Sequence, residues 1–555
     1  MRRAAGTRPG GWVVLGLALV LLGCGEVGHD QAVAGIQEVV HGTEGFLLDG
    51  EQSVRLPDEV RDFYRDRSYR PLWVNDGGLG RAGEELLNLL RSSHEEGFPA
   101  DRYHVERLDE VAQRLGQGRK SEGRGAGVAD LELALTSLYV RYATDLARGY
   151  MDSADEEITW LIPRPDPPGA ELLDRLERGE GPTQVLSELR PRTPQYGRLM
   201  AALGHYRQVQ AAGGWASLPD DVTLQEGDEG EYVVLLRRRL VAEGNPVERG
   251  LAEAGSAARP DRFDPQLREA VEHVQGRFAL ETDGVVGGRT LEELNTPVSQ
   301  RLRELEINLD RWRWLPRDLG PRHILVNVAG YEMEVVDEGR RVLSMAVVVG
   351  EEGWETPMFR DTLDHIVFNP YWNVPASIAE SSILPEIRRD PDYLERQNFE
   401  VVEWNGSSSR VLSPADVQWS EVDDEDFPYT LRQKPGPENA LGQVKFMFPN
   451  EHNIYLHDSP ARHLFSEARR SGSAGCVRVE HPFELARLLL EIDSDTSLEE
   501  VEADLEHDRE HRVDLHRTVP IYIVYLTAWV EEDGTTRFHH DPYHHDRRIR
   551  AMESG

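Results

Sequence analysis

The hydrophobic period of the chain changes at Pro316, and that change limits the folds open to it. Before Pro316, apolar residues recur at helical spacing, as in Val60-Phe63-Tyr64, Leu86-Leu87-Leu89-Leu90 and Leu131-Leu133-Leu135-Leu138-Tyr139-Tyr142-Leu146. The last such pattern, Leu302-Leu305-Ile307-Leu309-Trp312-Trp314-Leu315, predicts an amphipathic helix that ends at the proline. Beyond it come short β-rich runs separated by glycine turns, at 324–328, 331–336, 342–349, 365–368 and 519–525. Helices first and strands afterwards predict a multidomain α+β chain. Its 555 residues leave room for about three domains.

Punctuation divides the chain further. A Gly/Arg-rich stretch at 116–127 and a Pro-rich one at 163–168 break the helical region. Gly227-Asp228-Glu229-Gly230 opens a second helical module, interrupted by a polar insertion from about 245 to 262. Phe263-Asp264-Pro265 starts its next helix, and Asp283-Gly284-Val285-Val286-Gly287 leads to the last. Asp-Gly turns tolerate positive φ, and Thr290 is placed to cap the closing helix. Within the β region, 371–450 is rich in Pro, Trp and acid. So long an insertion predicts a lid or binding loop, with a disordered acidic excursion open for 403–428 alone.

Composition excludes some functions. The chain has 99 acidic against 62 basic residues and a formal charge of −37, which argues against nucleic-acid binding and against loose electrostatic attachment to an anionic membrane. Arginine almost replaces lysine; the only lysines are Lys120, Lys434 and Lys445. Arg2, Arg3 and Arg8 precede an apolar run from Trp12 to Leu22, the pattern of an export signal. The run is short of the roughly 20 residues a spanning helix needs. Leu21-Leu22-Gly23-Cys24 resembles the lipobox of bacterial lipoproteins. That resemblance implies lipidation at Cys24, a membrane anchor, and, from Gly25, the outer membrane of a diderm bacterium. With Cys24 lipidated, Cys476 is the one thiol of the exported body and no intramolecular disulfide forms. His94, His104 and His205 lack ligand spacing. The run His539-His540-Asp541-Pro542-Tyr543-His544-His545 reads as an exposed tail of incidental histidines, so no metal site is expected.

Chemistry concentrates in Ile454-Tyr455-Leu456-His457-Asp458-Ser459-Pro460 and Ser471-Gly472-Ser473-Ala474-Gly475-Cys476-Val477-Arg478. A thiol needs a base to become a thiolate at neutral pH, and imidazole is the common solution. A strand ending in His457, with a Gly-Cys turn 19 residues later, brings both to one sheet edge. Small residues before Cys476 let backbone amides approach an oxyanion. Arg478 suits a carboxylate or developing negative charge. Asp458 reads as a turn residue rather than a third catalytic member.

These motifs resemble the L,D-transpeptidases with the YkuD-type catalytic domain, and among them the large periplasmic YcbB-like branch. The resemblance extends to Phe368-Asn369-Pro370-Tyr371-Trp372-Asn373-Val374-Pro375, Arg432-Gln433-Lys434-Pro435-Gly436-Pro437 and Lys445-Phe446-Met447-Phe448-Pro449-Asn450. The second helical module is similar to the small three-helix peptidoglycan-binding domain of wall enzymes. The layout implied is a signal peptide (1–24), a tether (25–50), a helical scaffold (51–215), the peptidoglycan-binding domain (222–297) and a connecting helix (298–318). A mostly β catalytic domain (321–530), its lid at about 371–450, and a polar His-rich tail (531–555) follow. One departure stands out: many relatives carry His or Ser at Ala474, where a backbone carbonyl would have to orient the imidazole.

The resemblance implies that the Cys476 thiolate, deprotonated by His457, attacks a tetrapeptide stem of peptidoglycan and expels D-Ala. Amides around Gly475 hold the oxyanion and Ser473 positions the loop. A side-chain amine of a second stem then resolves the thioacyl-enzyme into a 3→3 cross-link. Tyr371, Trp372, Arg432, Tyr455 and Arg478 would bind substrate, and the chemistry needs no cofactor. Two alternatives stay open at this point: a carboxypeptidase or other cysteine hydrolase acting on stems, and a non-catalytic wall-binding lipoprotein. A papain-like order, Cys before a distant His, is excluded.

Overall fold

The structure, a computed structural model, describes residues 27–42, 46–47, 53–54, 56–75, 78–116, 124–151, 159–169, 171–254, 259–390, 392–405, 408–419, 422, 429–505 and 509–554. Cys24 and the apolar run before it lie outside these residues, as do parts of the expected tether and of the acidic stretch. The chain divides into two compact units. One comprises Met1–Arg91, Asp101–Tyr142 and Pro168–Val185, the other Ser92–Ala100, Ala143–Pro167 and Leu186–Gly555.

The first unit is helical. Its long helix α1 (Arg124–Arg148) buries Leu131, Leu133, Leu135, Leu138, Tyr139 and Tyr142, the stripe its spacing predicts. Glu132, fully buried beside that stripe, accepts from the Tyr64 hydroxyl (2.6 Å) and the backbone amides of Leu72 (2.5 Å), Trp73 (2.9 Å) and Val74 (3.1 Å). One carboxylate thus satisfies three donors that no sheet or helix pairs. Burial still pushes its carboxyl up, against the lowering effect of those bonds.

In the second unit, α2 (Glu231–Glu243), α3 (Pro246–Ala254), α4 (Pro265–Arg277) and α5 (Gly288–Asn295) make the small module. The segment read as a polar insertion supplies α3 and buries Ala252, so the three-helix pattern gains a fourth member. Asp264 caps α4 by accepting from Leu267 N (2.8 Å). Gly284 takes φ +72°, and its amide donates to the Gln275 side chain, which donates in turn to Asp283, Val285 O and Thr290. Thr290 therefore ties the turn, while Gly287 holds the cap position expected of it. A fully buried ionic cluster underlies the module: Arg277 pairs Glu243 and Glu248, and Arg239 pairs Glu243. Burial opposes the Glu243 charge, yet Arg277 and Arg239 hold its carboxyl well below the usual range.

α6 (Val298–Trp314) ends as predicted, Leu315 being extended (φ −83°, ψ 160°) before Pro316. It is a central helix rather than an amphipathic connector. Arg301, Asn308, Asp310, Arg311 and Arg313 are all buried, and each side chain has at least one polar partner. Asp310 accepts from Tyr150 N, Met151 N and Trp314 Nε1, and Arg313 donates to Asp310 and the Tyr196 hydroxyl.

The β region contains β1 (His323–Asn327), β2 (Glu332–Asp337), β3 (Arg340–Gly350), β4 (Arg360–Phe368), β5 (Trp372–Asn373), β6 (Phe399–Asn405), β7 (Ser408–Leu412), β8 (Tyr429–Gln433), β9 (Val444–Met447), β10 (Leu456–His457), β11 (Ser471–Ser473), β12 (Val477–Val479) and β13 (His511–Val524). Nine of them pair in the order β11-β3-β12-β10-β9-β4-β13-β1-β2, and β3 also pairs β2, which closes the sheet on itself. Val347, Val349, Ile366, Phe368, Val444, Phe446, Leu456, Val477 and Val479 fill its inside.

The lid is folded. β5 to β8 form their own sheet, β7-β6-β8-β5, over a core that includes Leu384, Ile387, Leu394, Phe399, Val401 and Leu431. Its sheet ends at Gln433; the stretch to 450, read as part of the lid, carries β9 of the main sheet. The expected polar tail is likewise built in. β14 (Ala528–Val530) and β15 (Thr536–Phe538) form a hairpin, and α7 (His545–Ser554) follows. Tyr543, His545 and Asp546 are at most 2 % exposed, and Asp546 pairs Arg311 at 2.5 Å. The histidine run is thus half structural, since Tyr525 packs tilted against His545 and Tyr543 edge-on to it.

Candidate active site

Register places the site. In the parallel β10–β12 pair, His457 lies opposite Arg478 and Leu456 opposite Val477; in the antiparallel β9–β10 pair, Lys445 lies opposite His457. Alternation then puts Lys445, His457 and Arg478 on the outer face, with Tyr455 and Cys476 next in line, while their neighbours face the core. The Val477 amide donates to Tyr455 O (3.2 Å), which brings the Cys476 turn beside Tyr455.

Cys476 is half-buried and a free thiol. Its Sγ stands 3.6 Å from Asn453 O, with Tyr455 beside it. Burial pushes the thiol up, and Tyr455, Lys445 and Arg478 pull it back toward thiolate. Lys445 Nζ sits 3.8 Å over the Tyr455 ring. Neither Lys445 nor Arg478 has an ion-pair partner among the described residues, and burial pulls both cations below their usual range.

His457 is 4 % exposed. Burial, Arg478 and Lys445 lower its pKa to about 3, so the ring is neutral at neutral pH. Nδ1 lies 2.5 Å from Asp458 O; a carbonyl only accepts, so Nδ1 carries the hydrogen and Nε2 the basic lone pair. The Asp458 carbonyl thereby does the orienting expected of Ala474, which is exposed. His457 and Cys476 are not hydrogen-bonded to each other, and the Tyr455 ring stands edge-on to the imidazole at 5.7 Å. The Asp458 carboxylate accepts from Gln443 N (2.9 Å), Ser459 N (2.7 Å) and Arg462 (3.1 Å), the pattern of a turn residue.

The loop around the thiol is pinned from several sides. Ser473 Oγ donates to Cys476 O (2.5 Å), and Gly475 takes φ +98°, a region in which a side chain is strained. The Cys476 amide has no acceptor among the described residues.

The remaining residues expected at the site divide between lid and thiol. Trp372 packs toward Phe399 in the lid and lies near the Tyr455 hydroxyl. Arg432 instead pairs Glu400, its cross-strand neighbour, at 2.6 Å and lies 4.8 Å over the Tyr371 ring. Lys445 and Asn453 were not singled out by their types. Lys445 is marked in the sequence by its rarity in so arginine-rich a chain and by its place at the head of the 445–450 motif.

Three regions match family models: residues 58–203 a scaffold domain, 229–294 a domain described as "Putative peptidoglycan binding domain", and 321–543 the YkuD L,D-transpeptidase catalytic domain. A Haemophilus influenzae protein named "Putative L,D-transpeptidase" is 33 % identical over 251 residues, 45 % of this chain and 50 % of that protein. The chain thus spans about half the length of that curated relative. An L,D-transpeptidase from Mycobacterium smegmatis aligns at 11 % identity over 37 % of this chain and 58 % of its own, with a TM-score of 0.18. A Xylanimonas cellulosilytica L,D-transpeptidase fragment aligns at 13 % over 56 % of this chain and all of its own, with a TM-score of 0.15. Superpositions that loose carry no weight for the fold. By its family models, the chain carries a catalytic domain of the YkuD-type L,D-transpeptidase family together with scaffold and peptidoglycan-binding domains.

Proposed function

We propose that the protein is a peptidoglycan L,D-transpeptidase that forms 3→3 cross-links through a thioacyl-enzyme at Cys476. The observation that carries this reading is the thiol's setting: a half-buried Cys476 near the Lys445 and Arg478 cations, at the sheet edge where β10 presents a neutral, oriented His457. His457 Nε2 takes the thiol proton, and the thiolate attacks the amide that precedes the terminal D-Ala of a tetrapeptide stem. The Cys476 amide donates to the tetrahedral oxyanion. Collapse expels D-Ala, which takes the proton from His457. A side-chain amine of a second stem, deprotonated in turn by His457, attacks the thioester and restores the thiol.

Lys445 and Arg478 suit the stem's carboxylates, and Trp372 and Tyr455 wall the groove beneath the lid. The module at 229–294 supports a second contact with peptidoglycan. Export and lipid anchoring at Cys24 belong to the same reading and rest on residues 2–25 of the sequence. A hydrolytic outcome, L,D-carboxypeptidase, uses the same residues with water as acceptor. Incubation with disaccharide tetrapeptide and product analysis separates them: 3→3 dimer supports transfer, and tripeptide alone overturns it in favour of hydrolysis.

A further inference from the structure

We infer that Tyr543, from the segment beyond the last strand, is a positioning residue that sets the Gly475–Cys476 peptide for acyl transfer. The inference rests on the transpeptidase reading and adds a residue outside the motifs that define it. The connection is a chain of buried hydrogen bonds. The Tyr543 hydroxyl donates to Gly350 O (2.6 Å) and accepts from Thr356 N (3.2 Å). Thr356 Oγ1 accepts from Gly350 N (2.9 Å) and donates to Gly475 O (2.7 Å). Tyr543 is 1 % exposed and Thr356 fully buried, so water does not replace either hydroxyl.

The geometry leaves no slack. A Cβ on Gly350 would lie 2.1 Å from Trp354 O and 2.7 Å from Thr356 N, so the 350–356 turn is folded hard against itself. Glu351 N donates to Ser473 O (3.0 Å), which fastens the same turn to the cysteine loop. The C=O and N–H of a trans peptide unit point in opposite directions. Thr356, by holding Gly475 O inward, therefore aims the Cys476 N–H away from itself and leaves it free for an oxyanion. Tyr543 fixes Thr356 by occupying both its amide and the carbonyl of Gly350. Without that hydroxyl, a buried donor and a buried acceptor lose their partner, and the turn has to move to find others.

The test uses the full-length protein in detergent, with Tyr543→Phe, Thr356→Val and Thr356→Ser. Acylation by a carbapenem is followed by intact mass, and alkylation of Cys476 by iodoacetamide is followed against pH. Loss of the Tyr543 hydroxyl should slow acylation by about 10- to 100-fold, since small misplacements are that costly. The alkylation profile should superimpose on wild type, because alkylation forms no oxyanion. Thr356→Val should slow acylation similarly, and Thr356→Ser, which keeps a hydroxyl, should recover most of the rate. Wild-type acylation by Tyr543→Phe would overturn the inference, as would alkylation falling in parallel. Should Tyr543→Phe fail to fold, equal rates for Thr356→Val and Thr356→Ser would overturn it instead. A wild-type protein that never acylates overturns the transpeptidase reading, and this inference with it.

Discussion

Lys445 and Arg478 stand beside a thiol that burial alone would keep protonated, and together with Tyr455 they draw it toward thiolate. A cation favours the thiolate, so removing one raises the thiol pKa further. Lys445→Met should therefore shift the pH midpoint of Cys476 alkylation upward and slow alkylation near neutrality by up to about tenfold. An unchanged midpoint in an iodoacetamide titration would show that Lys445 does not face the thiol. His457, with a pKa of about 3, should add no inflection near neutrality, because it is neutral throughout that range. At this scale much was legible beforehand. Cys476, His457, Gly475, Ser473 and Arg478 occur in two contiguous motifs, and contiguity is what sequence spacing reports. Lys445 reaches the thiol through strand register; Thr356 and Tyr543 reach it from distant segments, so no local pattern marks them.

At the scale of elements, periodicity was reliable where one face is apolar and misleading where polar residues are buried. α1 follows its stripe, yet Glu132 inside it is an acceptor for three backbone amides. Glu132→Ala should leave those donors unpaired and destabilise the first unit by about 2–4 kcal/mol. Thermal unfolding monitored by circular dichroism measures this, and a variant that melts with wild type would contradict the role. α6 reads as amphipathic because Arg301, Asp310, Arg311 and Arg313 look like a solvated face; beside local pairs within the helix, Asp310, Arg311 and Arg313 find partners in Met151, Asp546 and Tyr196, which no local pattern shows. The lid was legible as an insertion. Its internal core was not, because the pairing of Glu400 with Arg432 is a register property that composition does not carry.

At the scale of the molecule, the peptidoglycan-binding module is joined to the catalytic region through buried charge. Arg277 pairs Glu243 and Glu248 and donates to Thr536 O (2.9 Å) on the β14–β15 hairpin. Arg301 lies between the Phe278 and Phe538 rings, 4.7 and 4.6 Å from their centres. Arg277→Met would take the shared cation from two buried carboxylates, leaving Glu243 to Arg239 and Glu248 to His273, and should cost about 3–5 kcal/mol. Module and catalytic region should then unfold in one transition at lower denaturant, read by tryptophan fluorescence. A separate early transition, with the catalytic region intact, would show the module to be independent.

The central claim is that Cys476 is the acylated nucleophile. Intact-protein mass spectrometry after incubation with disaccharide tetrapeptide and, separately, with a carbapenem tests it most directly. The account predicts a covalent adduct on the wild-type protein in each case and none on Cys476→Ala. A folded wild-type protein that gains no mass, or an adduct that survives in Cys476→Ala, would contradict it.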